Sequence, residues 1–249
     1  MLERALPVLE RVGDRAGAAH AAYGLGHAHR ELGNDDQAMR YLERARNLYR
    51  SAGHWRGEAI AVRGIGLVHR ARGDLDAAEV WFVQAHDMVL RRGDRLLACY
   101  TTQSLAKLWI RQGRPEQAAE PLARSLQLCV DAQDRFGAAL LRRTLGEMHL
   151  AAGRPDDALR DLFLAFAVWT ELGHELGRAR TLRDIGAAHV LSGDCGSAHQ
   201  AWQSAYTTFS RLGLREAGEL NWWIRRWGCY CDHVWLTGDD AERTLPSRP

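Results

Sequence analysis

Residues 33–45 read GNDDQAMRYLERA, and the same frame returns as GDLDAAEVWFVQA at 73–85, GRPEQAAEPLARS at 113–125, GRPDDALRDLFLA at 153–165 and GDCGSAHQAWQSA at 193–205. The spacing is 40 residues each time, which marks a repeat architecture rather than one folded core. A second glycine series, Gly13, Gly53, Gly93, Gly173 and Gly213, lies midway, with Gln133 in the remaining place. Between these glycines the apolar residues fall at i, i+3, i+4 and i+7, as in Ala38, Tyr41, Leu42 and Ala45, the spacing of a helix face. Each repeat is therefore two helices. Glycine supplies the positive φ that ends each one, and Asn34-Asp35, Asp74 and the Arg-Pro pairs at 114–115 and 154–155 suit the start of the next.

Two helices joined by so short a turn pack antiparallel, and neither buries its apolar face without the next hairpin. Ala38, Ala78, Ala118, Ala158 and Ala198 are identical, and Ala45, Ala85, Ser125, Ala165 and Ala205 nearly so, marking close approach of helix axes. Leu42, Phe82, Leu122, Leu162 and Trp202 supply the large side chain between them. In the first helix, Leu25, Ile65, Leu105, Leu145 and Ile185 each precede a small residue: Gly26, Gly66, Ala106, Gly146 and Gly186.

This order of an apolar or aromatic residue, Leu-Gly, an aromatic slot, then Ala, a large residue and Ala resembles the tetratricopeptide repeat. In the first full repeat it falls on Ala22, Leu25-Gly26, His29, Ala38, Leu42 and Ala45. The chain departs from the family in its 40-residue period, the missing terminal proline, and Arg142 in a normally apolar place. The period, with Gly-x-Ala segments such as Gly57-Glu58-Ala59 and Gly177-Arg178-Ala179, is similar to the C-terminal arrays of bacterial signal-transducing ATPases and antibiotic-regulatory transcription factors of actinomycetes. The resemblance implies an all-α, right-handed solenoid of antiparallel hairpins that binds protein or peptide partners. It further implies a sensing or scaffold arm beside NTPase and DNA-binding domains. No G-x-x-x-x-G-K-[ST] loop occurs in this chain itself.

The expected organisation is a second helix of an incomplete repeat over 1–13, five repeats over 17–213, a capping helix over 214–236, and a polar, disordered tail over 237–249. Residues 2–5 repeat Leu42-Glu43-Arg44-Ala45, which is why the chain reads as opening in mid-repeat. Basic and acidic residues nearly balance, 33 against 31, so the chain as a whole lacks the signature of a nucleic-acid or anionic-membrane binder. Five cysteines without framework spacing, and no apolar run near the ~18 residues of a membrane span, fit a reducing cytoplasm.

His29, His69, His149 and His189, with Trp109, form a column that suggests a metal ladder. Equivalent residues in successive repeats should stand ~8–10 Å apart, too far to share one ion bound at ~2 Å, so the column reads as the family's aromatic slot. Cys229 and Cys231 offer soft ligands without a second cluster. No cofactor and no metal are expected, and a metal-dependent catalyst or sensor built on the histidines and Cys229/Cys231 is the alternative. No nucleophile sits in a recognisable elbow, so the chain does not read as an enzyme. Trp222, Trp223 and Trp227 either seal the last repeat or form a docking cap.

In the resemblance, the first helices line a concave groove. One column of groove positions is Tyr23, Arg63, Gln103, Arg143 and Arg183; another includes His27 and Lys107 with Glu147; a third begins Arg30 and Arg70. The groove is thus more basic than the chain and suits carboxylates, so an acidic peptide or partner segment is the expected ligand. The competing reading has these arginines solvated or paired with acids such as Glu31 and Asp184. Nucleic-acid binding along the same groove is a second alternative, weakened by the near-neutral net charge. Replacing Arg63, Arg143 and Arg183 together by alanine is expected to remove binding with little effect on melting.

Overall fold

The computed structural model describes residues 2–228, with side chains as far as Arg225. Among these residues lie twelve α-helices and no strand. They are α1 Leu2–Arg11, α2 Arg15–Glu31, α3 Asp35–Ser51, α4 Trp55–Arg72, α5 Leu75–Leu90, α6 Arg95–Arg111, α7 Glu116–Asp131, α8 Arg135–Ala151, α9 Pro155–Glu171, α10 Glu175–Leu191, α11 Cys195–Arg211 and α12 Glu216–Gly228. The hairpins α2–α3 through α10–α11 are the five repeats, α1 precedes them and α12 closes them. The tail expected over 237–249, Cys229 and Cys231 lie outside the described residues.

Every turn glycine of both series takes the left-handed conformation, with φ between +64° and +84°. Gln133 follows them at φ +57°, the one non-glycine with positive φ among the described residues. At each such turn the backbone closes the helix end in the same way: Gln133 N–H donates to Val130 O at 3.0 Å and Asp134 N–H to Cys129 O at 2.8 Å.

Most helix starts carry a side-chain cap. Asp14, Asp94 and Asp134 accept from the backbone N–H three residues on, and so do the Nδ1 atoms of His54 and His174, from Gly57 at 3.0 Å and Gly177 at 2.9 Å. Asp74 and Asp194 cap α5 and α11. Asn34 and Arg154 make no such bond, and Pro155 instead begins α9, where its missing N–H is no loss.

The small positions meet the large ones. A Cβ placed on Gly26 would stand 2.7 Å from Leu42, on Gly66 2.7 Å from Phe82 and on Gly146 2.6 Å from Leu162, while on Gly186 it would overlap the Trp202 indole. Ala38, Ala78, Ala118, Ala158 and Ala198 are fully buried or nearly so beside them. Hence the Leu-Gly pair exists to let the next helix's bulky residue reach the axis. The first helices α2, α4, α6, α8 and α10 also touch one another from repeat to repeat, whereas successive second helices are more widely spaced. The first helices are thus the inner row of a curved solenoid.

Candidate functional site

The curvature brings the two ends of the array together. Arg180 on α10 donates to Glu31, 149 residues earlier at the end of α2, and to Glu216 at the start of α12, the latter through Nε at 2.9 Å. Arg215 lies 3.6 Å from Asp35, and its side-chain carbons cover Gly33. The guanidinium of Arg180 thus links α2, α10 and α12, and the first helices line a central trough between the two ends.

Within the trough the groove columns form a ladder of step 41. Arg63 Nη1 donates to Ser104 Oγ at 3.3 Å, Gln103 Nε2 to Thr144 Oγ1 at 3.0 Å, and Arg143 Nε to Asp184 Oδ2 at 2.8 Å. One turn further along, Lys107 Nζ meets Glu147 Oε1 at 2.6 Å, and Arg143 donates to the same carboxylate. Arg183 binds Asp184 Oδ1 at 2.7 Å, and Arg111 donates to the backbone carbonyl of Arg70 at 3.0 Å. The Arg70 guanidinium stands 5.9 Å from the centroid of the Phe82 ring. Arg30 donates to Glu31, and Tyr23 and His27 sit beside this end with ring centroids 6.4 Å apart.

The electrostatics follow from burial. Burial alone would raise the Glu31 carboxyl, but Arg180 and Arg30 outweigh it and hold the group at about 2. Burial opposes ionisation of Glu147 in the same way, and Lys107, Arg143 and Arg183 overcome it, so its pKa is lowered. Burial, reinforced by Arg143, pulls Lys107 well below the ordinary lysine value. Burial also lowers Arg30. The guanidiniums of Arg30, Arg63, Arg143, Arg180 and Arg183 outnumber the carboxylates Glu31, Glu147, Asp184 and Glu216 that face them. The Nε of Arg63 is buried without a hydrogen-bond partner, a donor left over in a shielded place.

The sequence-expected groove residues therefore converge, but they are not a freely solvated row. Arg143 is only 6% exposed and bridges two carboxylates. The expectation that alanine at Arg63, Arg143 and Arg183 would leave melting unchanged is corrected for Arg143 and Arg183, because removing either leaves Asp184 or Glu147 less compensated in a shielded site. Arg180 and Glu216 were not singled out from sequence. A signal existed for Arg180, whose equivalents are His20, Ile60, Tyr100 and Leu140, so a guanidinium stands alone in its column.

The histidine column serves its own hairpins. His69 and His189 approach the N-cap aspartates Asp74 and Asp194, at 3.1 and 3.6 Å, and His29 stacks on Tyr41 at 5.4 Å between centroids. His149 approaches Asp161 at 3.5 Å, the carboxylate that also takes Arg142 at 3.4 Å. Arg142 in its usually apolar slot is thereby explained. Among the described residues no group of three or more His, Cys, Asp and Glu side chains is placed to hold a metal ion. On α12, Trp223 packs on Trp202 with centroids 5.8 Å apart, while Trp222 is 42% exposed. The side chain of Trp227 lies outside the described set. Among the described residues no helix is long and apolar enough to cross a membrane.

Three solved structures share this architecture. The chain is similar to a Rap conjugation gene regulator of the plasmid pLS20, solved in complex with the Phr* peptide, at 15% identity and a TM-score of 0.70 over 91% of this chain and 61% of that one. It is similar to the nearly identical TPR-like repeats of a kinesin light chain from Podosopora anserina, at 12% identity and a TM-score of 0.53 over 78% and 95% of the two chains. It is also similar to BtubC (BKLC) from P. vanneervenii, at 14% identity and a TM-score of 0.52 over 89% and 99%. No curated protein sequence matches the chain. The tetratricopeptide-repeat family model matches residues 1–51 and 137–211, just over half of the chain, in the segments where Leu42, Leu162 and Trp202 fill the glycine slots opposite them. The chain belongs to the tetratricopeptide repeat family.

Proposed function

We propose that the chain is a non-catalytic binding module whose central trough holds an acidic peptide or partner segment. The observation that carries this reading is the excess of partly buried guanidiniums over carboxylates along the ladder, with the Arg63 Nε donor unfilled. A shielded net positive charge is unfavourable unless an anion compensates it, and guanidiniums on a curved wall match carboxylates at several points of an extended chain. The likeness to a regulator solved with a bound peptide supports the same class of ligand. In the cell the module would serve as the sensing or scaffold arm of a cytoplasmic bacterial regulator, working with NTPase and DNA-binding domains.

The test is fluorescence anisotropy with a labelled hexaglutamate peptide and its hexaglutamine counterpart, on the wild type and Arg63→Ala. Arg63 is the suitable probe because its one polar contact is long and goes to a neutral hydroxyl, so its loss leaves no buried carboxylate behind. Binding of hexaglutamate alone, weakened about tenfold in the variant as expected for one charge-assisted hydrogen bond, supports the proposal. Equal binding of both peptides would remove it.

A further inference from the structure

The end-to-end closure has a composition that bears on how a ligand enters, and the inference rests on the acidic-segment reading of the trough. Elsewhere along the array, consecutive helices are held by buried apolar side chains such as Phe82, Leu122 and Trp202. The meeting of the first repeat with the last is different in kind. Among the described residues it is made by charged side chains: Arg180 to Glu31, Arg215 to Asp35, and the arginine carbons over Gly33. The Glu31 carboxylate, 9% exposed, lies between the guanidiniums of Arg30 on its own helix and Arg180 across the gap. A carboxylate held by two guanidiniums is the interaction an acidic ligand would make in this trough, and here the chain makes it with itself.

We propose that Glu31 is a built-in stand-in for the ligand: it latches the superhelix shut, and an acidic segment enters by displacing it from Arg30 and Arg180. The latch suits this role because opening it breaks ion pairs that a ligand carboxylate can replace one for one. Opening an apolar seam would instead expose surface that the ligand could not cover. Arg180 keeps its bond to Glu216 when Glu31 leaves, so its guanidinium stays placed on α10 to receive the incoming group. Arg215 Nη1 and the buried Asp35 Oδ1, which has no hydrogen bond, stand 3.6 Å apart and add a longer contact to the closure.

The two partners of the latch make opposite predictions. Glu31→Gln breaks the closure and releases Arg30 and Arg180 from the Glu31 carboxylate, Arg180 staying on Glu216; Arg180→Gln breaks the same closure but removes half of the receiving site. Small-angle X-ray scattering should therefore show both variants more open than the wild type, and hexaglutamate should shift the wild type toward the same open profile. Anisotropy should show hexaglutamate bound at least tenfold more tightly by Glu31→Gln and at least tenfold more weakly by Arg180→Gln, with helix content checked by circular dichroism. A purely structural role for the pair would move both affinities in one direction, and that result overturns the latch. So does hexaglutamate binding to the wild type without any change in scattering. If hexaglutamate binds none of the three proteins, the acidic-segment reading falls with the displacement step, and unchanged scattering in both variants then removes the closure as well.

Discussion

Gln133 is the position where the repeat breaks its own rule, and replacing it by glycine isolates one physical effect. Its φ of +57° lies in the left-handed region, which costs an L-residue about 1–2 kcal/mol because the Cβ crowds the following carbonyl. Glycine avoids that crowding but loses more backbone entropy on folding, roughly 0.5–1 kcal/mol. Gln133→Gly should therefore stabilise by about 0.5–1 kcal/mol. The side chain is exposed, so no packing is lost with it. The converse substitution lies one turn earlier: Gly113 has φ +73°, and a Cβ added there would have nothing within 4 Å, so Gly113→Ala meets open space and suffers only the backbone strain. It should destabilise by a similar amount. Thermal unfolding followed by circular dichroism reads both, with Tm moving up by roughly 1–4 °C for Gln133→Gly and down by as much for Gly113→Ala. A lower Tm for Gln133→Gly would refute the argument, since it would mean that the glutamine side chain contributes something that the turn geometry does not account for.

Gly186→Ala should destabilise by more than about 2 kcal/mol, because its Cβ would overlap the indole of Trp202, whose Nε1 donates to the Arg183 carbonyl at 2.9 Å; chemical denaturation measures it, and a loss below about 1 kcal/mol would show that the indole can move aside. Arg143→Ala should cost about 3–5 kcal/mol by leaving Asp184 and Glu147 short of a buried partner, whereas Arg63→Ala should cost about 1 kcal/mol; equal losses in urea titrations would contradict the placement of the two side chains. Stability should also fall with pH in two stages. Burial lowers His27, His86, His149 and His174 below 6.5, so the unfolded chain takes up protons first and stability declines as pH drops from above 6.5 through the folded values. His174 must lose its cap on protonation, since Nδ1 accepts from Gly177. The second stage lies below pH 4.5, where Glu31, lowered to about 2, and Glu216, also lowered, are protonated in the unfolded chain first; Asp161, raised by burial, opposes this weakly. A melting temperature flat between about pH 7.5 and 5.5 would remove the histidine stage.

How much of this was readable in advance depended on the range of the interactions. Turns, helix ends and the pairing of Gly26, Gly66, Gly146 and Gly186 with large residues sixteen positions on are local within one hairpin, and a 40-residue alignment exposes them. The caps at His54 and His174 were readable too, though only by noticing that they share a column with Asp14, Asp94 and Asp134. The groove columns were legible as columns. Their burial was not, because it depends on the rotation between successive repeats accumulated over five hairpins until α2 meets α10 and α12. No local pattern encodes that sum. It decides whether Arg143 and Arg183 face solvent or carboxylates, and it brings Arg180 to Glu31 across 149 residues. Glu147 and Asp184 were visible beside the arginines in sequence, and the structure places them between them.

In the proposed function the trough, and neither the outer helices nor the tryptophan cap, receives the partner. Photo-crosslinking answers it directly: a hexaglutamate peptide carrying a benzophenone side chain is irradiated with the full chain, and the adducts are located by mass spectrometry. Adducts are expected on the inner faces of α4, α6 and α8, around Arg63, Lys107 and Arg143, and beside Arg30 and Arg180 on α2 and α10, and excess unlabelled peptide should suppress them. Adducts confined to the outer helix α5, or to α12 around Trp222, would contradict it.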